Sequence, residues 1–390
     1  MQHNLVSDPD IFFRAPQSFN RFSDRQFLRY CLGGTLYMPS TRAVMDKIVA
    51  RQMPDVLSMV MCFEDAIRAE DLGAGEANVI QQLGYLAEQV RTGALSNDDV
   101  PLIFLRVRST EQFHSFAEKL TPELADILTG FVFPKFYSNN ALDYLDLLAE
   151  LNRKFDTPLY GMPILEGRAI AFRETRNAEL TALLGILRDY HQYILNIRVG
   201  GTDFSSFFGV RRGIGSSIYD ILPVRDALAD ILNFFGRAEE DYIVSAPVWE
   251  YFLAYKRDDL EKVMQIDLNR ALRTNTAILN DAIDGLLREV ALDKANGFTG
   301  KTVIHPSHLR YVNAMQAVTR EEYEDACQIL DTSGGVIKST KSNKMNEINP
   351  HRSWARRISA MADAYGVVED ERKMLALFRA GLEPQMSAAE

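Results

Sequence analysis

Six charged residues fall where short apolar runs stop. Glu64 and Asp65 close "VLSMVMCFED", Arg106 stands in "PLIFLRV", and Lys135 closes "GFVFPK". Glu166 closes "LYGMPILE", and Asp203 follows Gly200, Gly201 and Thr202 in "YILNIRVGGTD". Four carboxylates and two cations on successive apolar segments imply one shared mouth. Charges at the ends of apolar strands are expensive to desolvate unless they are paired or metal-bound. Facing carboxylates also repel each other, and a divalent cation answers both problems. Carboxylate ligation without a His or Cys cluster suits hard Mg²⁺ or Mn²⁺, at about 2.0–2.1 Å for Mg²⁺. Zinc fits less well. His305 and His308 lie three apart with Pro306 between them, and no third nitrogen or sulfur ligand is evident.

Each residue also has an ordinary explanation. Glu64 and Asp65 could pair with a loop arginine, and Arg106 could make a rim salt bridge of small worth. Lys135 could be a solvated strand end. Glu166 could face the N-terminus of the helix that follows it. Asp203 after two glycines could form a turn. His305 could be a buried histidine satisfied by backbone. The coincidence of these residues on successive strand ends, rather than any one of them, points to a site.

The elements that must position them alternate regularly. Strand-like runs at 35–39, 56–65, 101–107, 130–135, 159–166, 193–203, 242–248 and 302–306 are each followed by a helical stretch. The runs are continuously apolar, as strands are when a parallel sheet buries both faces. Eight strand–helix units predict an α/β fold, a (β/α)8 TIM barrel, whose site lies at the C-terminal ends of the strands. A doubly wound open sheet would want a Gly-rich first turn, whereas the first run here ends "YMPSTR". The barrel is expected over 1–318 with its lead-in. A helical extension or lid over 319–390 is expected to pack on the barrel or on a neighbouring subunit. Within the extension, 331–344 is rich in Ser, Gly, Thr and Lys and reads as a flexible connection.

Bulk properties narrow the class. The 390 residues carry a net charge of −10, which argues against nucleic-acid or anionic-membrane partners. Cys31, Cys62 and Cys327 make no CxxC pair, which is the pattern of a reducing cytoplasm. The start has no apolar segment of signal-peptide type, and no run is long enough to span a bilayer. "NGFTGKTVIHPSHL" contains "GKT" but is no P-loop, because residue 295 is Ala and the strand follows the lysine. Its glycines are expected to shape a turn at the bottom of the barrel, with Lys301 pointing away from the mouth.

In this setting the sequence resembles the HpcH/HpaI aldolase–citrate lyase family, and within it the citrate lyase β-subunit-like proteins. "YMPSTR", "CFEDA", "FLRV", "FPK", "ILEGRAI", "VGGTDFSSFFG" and "GFTGKTVIHPSHL" resemble that family's segments in order. The resemblance implies that Glu166 and Asp203 ligate Mg²⁺. It implies that Arg106 grips the substrate carboxylate or carbonyl, with Glu64 and Asp65 holding that arginine and water. Gly201 and Thr202 would offer backbone N–H groups to a 2-oxo-acid carboxylate, and Lys135 would complete the substrate contacts. The implied enzyme is a cytoplasmic, homo-oligomeric (trimeric or hexameric) Mg²⁺-dependent carbon–carbon lyase. Its substrate would be a small oxo- or hydroxy-acid, or the CoA thioester of one. A condensing synthase, a pyruvate-type aldolase and a non-catalytic metabolite-binding descendant are the alternatives. Three positions depart from the family pattern: Arg108 replaces an Asn, Thr202 an acid, and Asn349 an Asp in a segment that often lies over a neighbour's site.

Overall fold

Runs rich in Val, Ile, Phe and Met can hide both faces only by pairing side by side beneath a layer of helices. The computed structural model, which describes residues 1–6, 9–252, 271, 279–339 and 343–378, shows them doing so. Eight parallel strands pair in sequence: β1 (Gly34–Pro39), β2 (Ser58–Cys62), β3 (Leu102–Arg106), β4 (Gly130–Phe133), β5 (Tyr160–Leu165), β6 (Ile197–Val199), β7 (Val244–Ser245) and β8 (Lys301–Val303). β8 pairs back onto β1. The last gap, between β7 and β8, is closed by a bridge from Ala246 to Lys301. There the Ala246 N–H donates to Gly300 O and the Thr302 N–H to Ala246 O, both at 3.1 Å. Closure removes the exposed edges that an open sheet would present.

Gly300 makes this seam possible. Its φ is +71°, and a Cβ there would sit 2.4 Å from Gly33 O. Strand β7 stops after two residues because Pro247 follows Ala246 and has no N–H for the ladder. Asp203 belongs to the first turn of the helix Gly201–Phe207, rather than to the strand end expected of 193–203.

Two apolar layers hold the barrel. Val60, Phe104, Val132, Met162 and Ile164 belong to one buried cluster. Phe131 and Phe133 join Phe113 and Tyr144 in the other, with the rings of Phe133 and Tyr144 4.8 Å apart. The helix Ala141–Phe155 shows how sequence dictates this packing. Its residues Ala141, Tyr144, Leu145, Leu148 and Leu151 follow helical spacing and are all buried. Each such large side chain contributes about 1.5–3 kcal/mol by leaving water.

Lys301 is engaged structurally. Its amine is buried and bonds Glu289 Oε1 at 2.9 Å and Asp293 Oδ2 at 2.8 Å, both on the helix Asp281–Asn296. Much of the helical stretch expected before about 290 lies outside the described residues.

The C-terminal part packs under the N-terminal ends of the strands, opposite the mouth. From the helix Ile348–Tyr365, Arg357 donates to Phe298 O at 2.8 Å and Thr299 Oγ1 at 2.7 Å. Tyr365 Oη donates to Tyr30 O at 2.6 Å and accepts the Gly33 N–H at 3.1 Å. Val367–Val368 then pairs with both Phe12–Arg14 and Val318–Thr319, tying lead-in and tail into one small sheet. Within 331–344, expected to be a flexible connection or lid, Val336–Lys338 forms a strand that pairs with Met345–Glu347 just beyond it. The adjacent β-branched pair Val336 and Ile337 in "GGVIK" gave it strand character that the surrounding Gly and Ser masked. Among the described residues, no helix is long and apolar enough to cross a membrane.

Candidate active site

Barrel geometry aims the residues at the C-terminal strand ends into one mouth. Arg106 ends β3 and faces inward, 8% exposed. Its Nη2 lies 2.6 Å from Glu64 Oε2, 3.2 Å from Glu166 Oε1 and 3.4 Å from Asp65 Oδ2. Lys135 contributes twice. Its Nζ is 2.6 Å from Glu64 Oε1, and its backbone N–H donates to Glu166 Oε1 at 2.8 Å. That N–H is aimed by a left-handed backbone (φ +46°), a conformation worth about 1–3 kcal/mol of strain in a non-glycine residue. Glu64 is buried while Asp65 is exposed, so the pair divides into an inner and an outer carboxylate.

Glu166 and Asp203 meet across Gly200. A Cβ on Gly200 would lie 2.3 Å from Glu166 Cβ, 2.9 Å from Glu166 Oε2 and 3.1 Å from Asp203 Oδ2. Only glycine leaves room for both carboxylates to approach the same backbone. Gly201 is buried in the first turn of the following helix, and Thr202 is exposed with Oγ1 3.4 Å from Glu250 Oε1.

The electrostatics follow from this crowding. Burial pushes the Glu166 carboxyl up to about 8, against the pull of Arg106 and with Asp203 adding to the rise. Burial likewise raises Asp203, opposed by Arg106. Burial raises Glu64 too, although Arg106 and Lys135 oppose it. Asp65 ends lowered, because hydrogen bonding to Glu64 and the attraction of Arg106 and Lys135 outweigh its burial. For Arg106, burial is outweighed by Glu166 and Glu64, and the guanidinium stays charged. The four carboxylates face two cations, so the mouth carries a formal −2 when all are ionised. An oxygen-only donor pair with that excess fits a hard divalent cation with open positions for water and substrate. Among the described residues, no group of three or more His, Cys, Asp or Glu side chains is arranged as a complete metal cage.

The six sequence candidates therefore converge. Sequence reasoning missed the floor beneath them. Arg198, on β6, is 1% exposed and donates to Thr302 Oγ1 at 2.7 Å and Thr35 Oγ1 at 3.3 Å. Its guanidinium carbon lies 5.4 Å from the centre of the Tyr37 ring, and it forms no ion pair among the described residues. Burial lowers its pKa, with Tyr37 opposing. Burial raises the Tyr37 phenol, against Arg198 and Arg106, so the hydroxyl keeps its proton at neutral pH. The available signal was alternation: Asn196 and Arg198 are polar at every second position of an otherwise apolar run, hence on one face of the strand.

Two other candidates lie outside this cluster, although His305 follows the C-terminal end of β8 and so sits at the mouth end of the barrel. The His305 ring stacks on Phe252 at 4.1 Å between centres, with Nδ1 2.7 Å from Ser307 Oγ. Asn349 is exposed in the first turn of the helix that packs under the barrel, away from this chain's own mouth.

A family model for C–C bond lyases of the TIM-barrel fold matches residues 26–367. No curated protein matches the chain significantly in sequence. Solved structures do match. CitE from Mycobacterium tuberculosis, in complex with magnesium, acetoacetate and coenzyme A, is 14% identical with a TM-score of 0.45, over 86% of this chain and 99% of that one. The citrate lyase β subunit from M. tuberculosis, complexed with oxaloacetate and magnesium, is 17% identical with a TM-score of 0.43, over 73% and 96%. The Haloferax volcanii malate synthase lead(II) complex is 12% identical with a TM-score of 0.47, over 88% and 89%.

Proposed function

From its membership in the family of C–C bond lyases of the TIM-barrel fold, to which this chain belongs, we propose that it breaks a carbon–carbon bond in a small oxo- or hydroxy-acid, or in the CoA thioester of one, by way of an enolate. The observation that carries the reading is the convergence of Arg106, Glu64, Asp65 and Glu166 on one mouth, with Asp203 facing Glu166 across Gly200. Glu166 and Asp203 would hold Mg²⁺, which when bound supplies Lewis acidity toward the oxygens of the acid.

The chain's own residues do the rest. Arg106 presents a charge already desolvated and fixed by Glu64, so it needs no reorganisation as negative charge grows on a substrate oxygen. A preorganised donor of this kind is worth about 3–4 kcal/mol of barrier. Lys135 Nζ keeps Glu64 in place from the other side. The backbone N–H groups of Gly201 and Thr202 open the helix Gly201–Phe207 and are left without intrahelical acceptors, so they suit a substrate carboxylate. As the carbon–carbon bond breaks, its electron pair passes into the enolate, and the hydroxyl of the fragment that becomes the carbonyl gives its proton to solvent water at the mouth. Tyr37 then gives its Oη proton to the enolate carbon and regains one from that water, its transient phenolate favoured by Arg198, whose guanidinium carbon lies 5.4 Å from the ring centre, and by the charge of Arg106. The same residues serve the condensing direction, since the two directions share one transition state.

Calorimetric titration of Mg²⁺ into the wild type, Glu166→Ala and Asp203→Ala tests the reading, followed by a thermal-shift screen of oxo-acids and acyl-CoAs with Mg²⁺ present. Each substitution is expected to weaken Mg²⁺ binding at least tenfold. Unchanged affinity in both would sink the metal assignment.

A further inference from the structure

A cleft with a volume of about 1050 Å³ lies at the end of the barrel opposite the mouth, between the N-terminal strand ends and the helix Ile348–Tyr365. Its charge runs against that of the chain. The protein as a whole carries 53 acidic residues against 43 Lys and Arg. The cleft lining instead has six cations and three acids. All three acids are already engaged. Asp241 pairs with Arg29 at 2.7 Å, Glu321 with Lys344 at 3.1 Å, and Glu322 accepts the Thr319 N–H at 2.9 Å in a helix cap.

The remaining cations form no ion pair among the described residues. Lys294 donates to Ala317 O, and Arg237 to Asn233 Oδ1. Arg357 bonds only Phe298 O and Thr299 Oγ1, although burial lowers its pKa and would favour a counter-charge. Arg356 is exposed. One turn of helix places Trp354 beside Arg357, and its ring is 37% exposed.

We propose that this cleft binds a phosphorylated small molecule with a planar ring, of the nucleoside-phosphate class. Arginines without carboxylate partners suit phosphate, whose oxygens take forked N–H donors. An exposed indole beside them suits stacking by a flat ring. The volume matches a ligand of that size, where a lone phosphate would fill little of it. Its place at the bottom of the barrel makes the site separate from the reaction at the mouth, and it stands whether or not the lyase reading holds.

The test measures binding of ATP, inorganic triphosphate and citrate to the full chain by calorimetry and thermal shift. ATP is expected to bind and raise Tm, triphosphate to bind more weakly, and citrate not to bind through this cleft. Arg237→Ala with Arg356→Ala should weaken ATP at least tenfold. Both side chains are exposed, so the unliganded Tm should stay put; the single Arg356→Glu variant gives the same readout should the double variant unfold. Trp354→Ala should erase the advantage of ATP over triphosphate, and Arg106→Ala should leave ATP binding intact. The proposal is overturned by absence of ATP binding at millimolar concentration, by full ATP affinity in the arginine variants, by loss of ATP binding in Arg106→Ala, or by citrate binding that those arginine variants abolish.

Discussion

Glu166→Gln should make the metal-free protein more stable while removing its metal affinity. Burial above all pushes the Glu166 carboxyl up to about 8, from an ordinary 4.5. A carboxyl whose folded pKa is raised contributes stability that is complete below about 4.5 and is lost as pH climbs through about 8. At 1.36 kcal/mol per pKa unit, the full loss is about 5 kcal/mol, with about 3 of it gone by pH 7. Glutamine has nearly the same shape and no proton to lose, and Arg106 keeps Glu64 and Asp65 as partners. Urea denaturation in EDTA should therefore give similar stabilities for the two proteins near pH 4.5. The variant should gain steadily above that, by several kcal/mol at pH 8.5. Saturating Mg²⁺ should restore wild-type stability at high pH and leave the variant unmoved. A gap that fails to widen with pH, or a variant less stable than wild type at pH 8.5, would refute the view of Glu166 as a destabilised carboxylate awaiting a cation.

Three further outcomes are expected. Lys301→Met leaves Glu289 and Asp293 buried without their shared ammonium, a loss of about 3–5 kcal/mol readable as a lowered Tm. Tyr37→Phe should lower kcat by about 10²–10⁴ with little change in KM, as expected for a lost proton donor; an equal fall in Tm without that split would assign Tyr37 to packing alone. Burial pushes His3 and His308 down to about 4, below the ordinary 6.5 of an imidazole. Their contribution is complete above about 6.5 and is lost as pH falls toward 4, up to about 3 kcal/mol each; His3→Gln with His308→Gln should flatten the acid limb of a stability–pH curve between those values.

Much of the fold was legible because the runs that became β2 to β5 are almost wholly apolar on both faces and so declare a buried parallel sheet. The candidate residues were legible because a charge at the end of such a run is anomalous. Legibility failed where tertiary context decides. Strand β7 is two residues long, and its closure onto β8 rests on the bridge from Ala246 to Gly300 and Thr302. Asp203 looked like a strand end because the run "YILNIRV" carries straight into it, while the two preceding glycines start a helix. The division of Glu64 from Asp65 into buried and exposed partners follows from the turn after β2, which composition does not encode.

Two fully buried cations on the barrel strands, Lys301 and Arg198, make the same point about function. Lys301 belongs to the segment that invites a phosphate reading, yet it lies between two carboxylates that neutralise it, and a structural role accounts for all of its contacts. Arg198 belongs to a segment that invites no reading, yet its charge has only threonine hydroxyls and a tyrosine for company. A buried cation without an anion costs stability. Its position under the Tyr37 phenol gives the cost a use, since a guanidinium there stabilises the phenolate more than the phenol. Arg198→Met should therefore raise the stability of the fold while lowering turnover, and Arg198→Lys should recover part of the turnover. A variant that loses stability and keeps its turnover would place Arg198 among the packing residues of the barrel and leave Tyr37 without its partner.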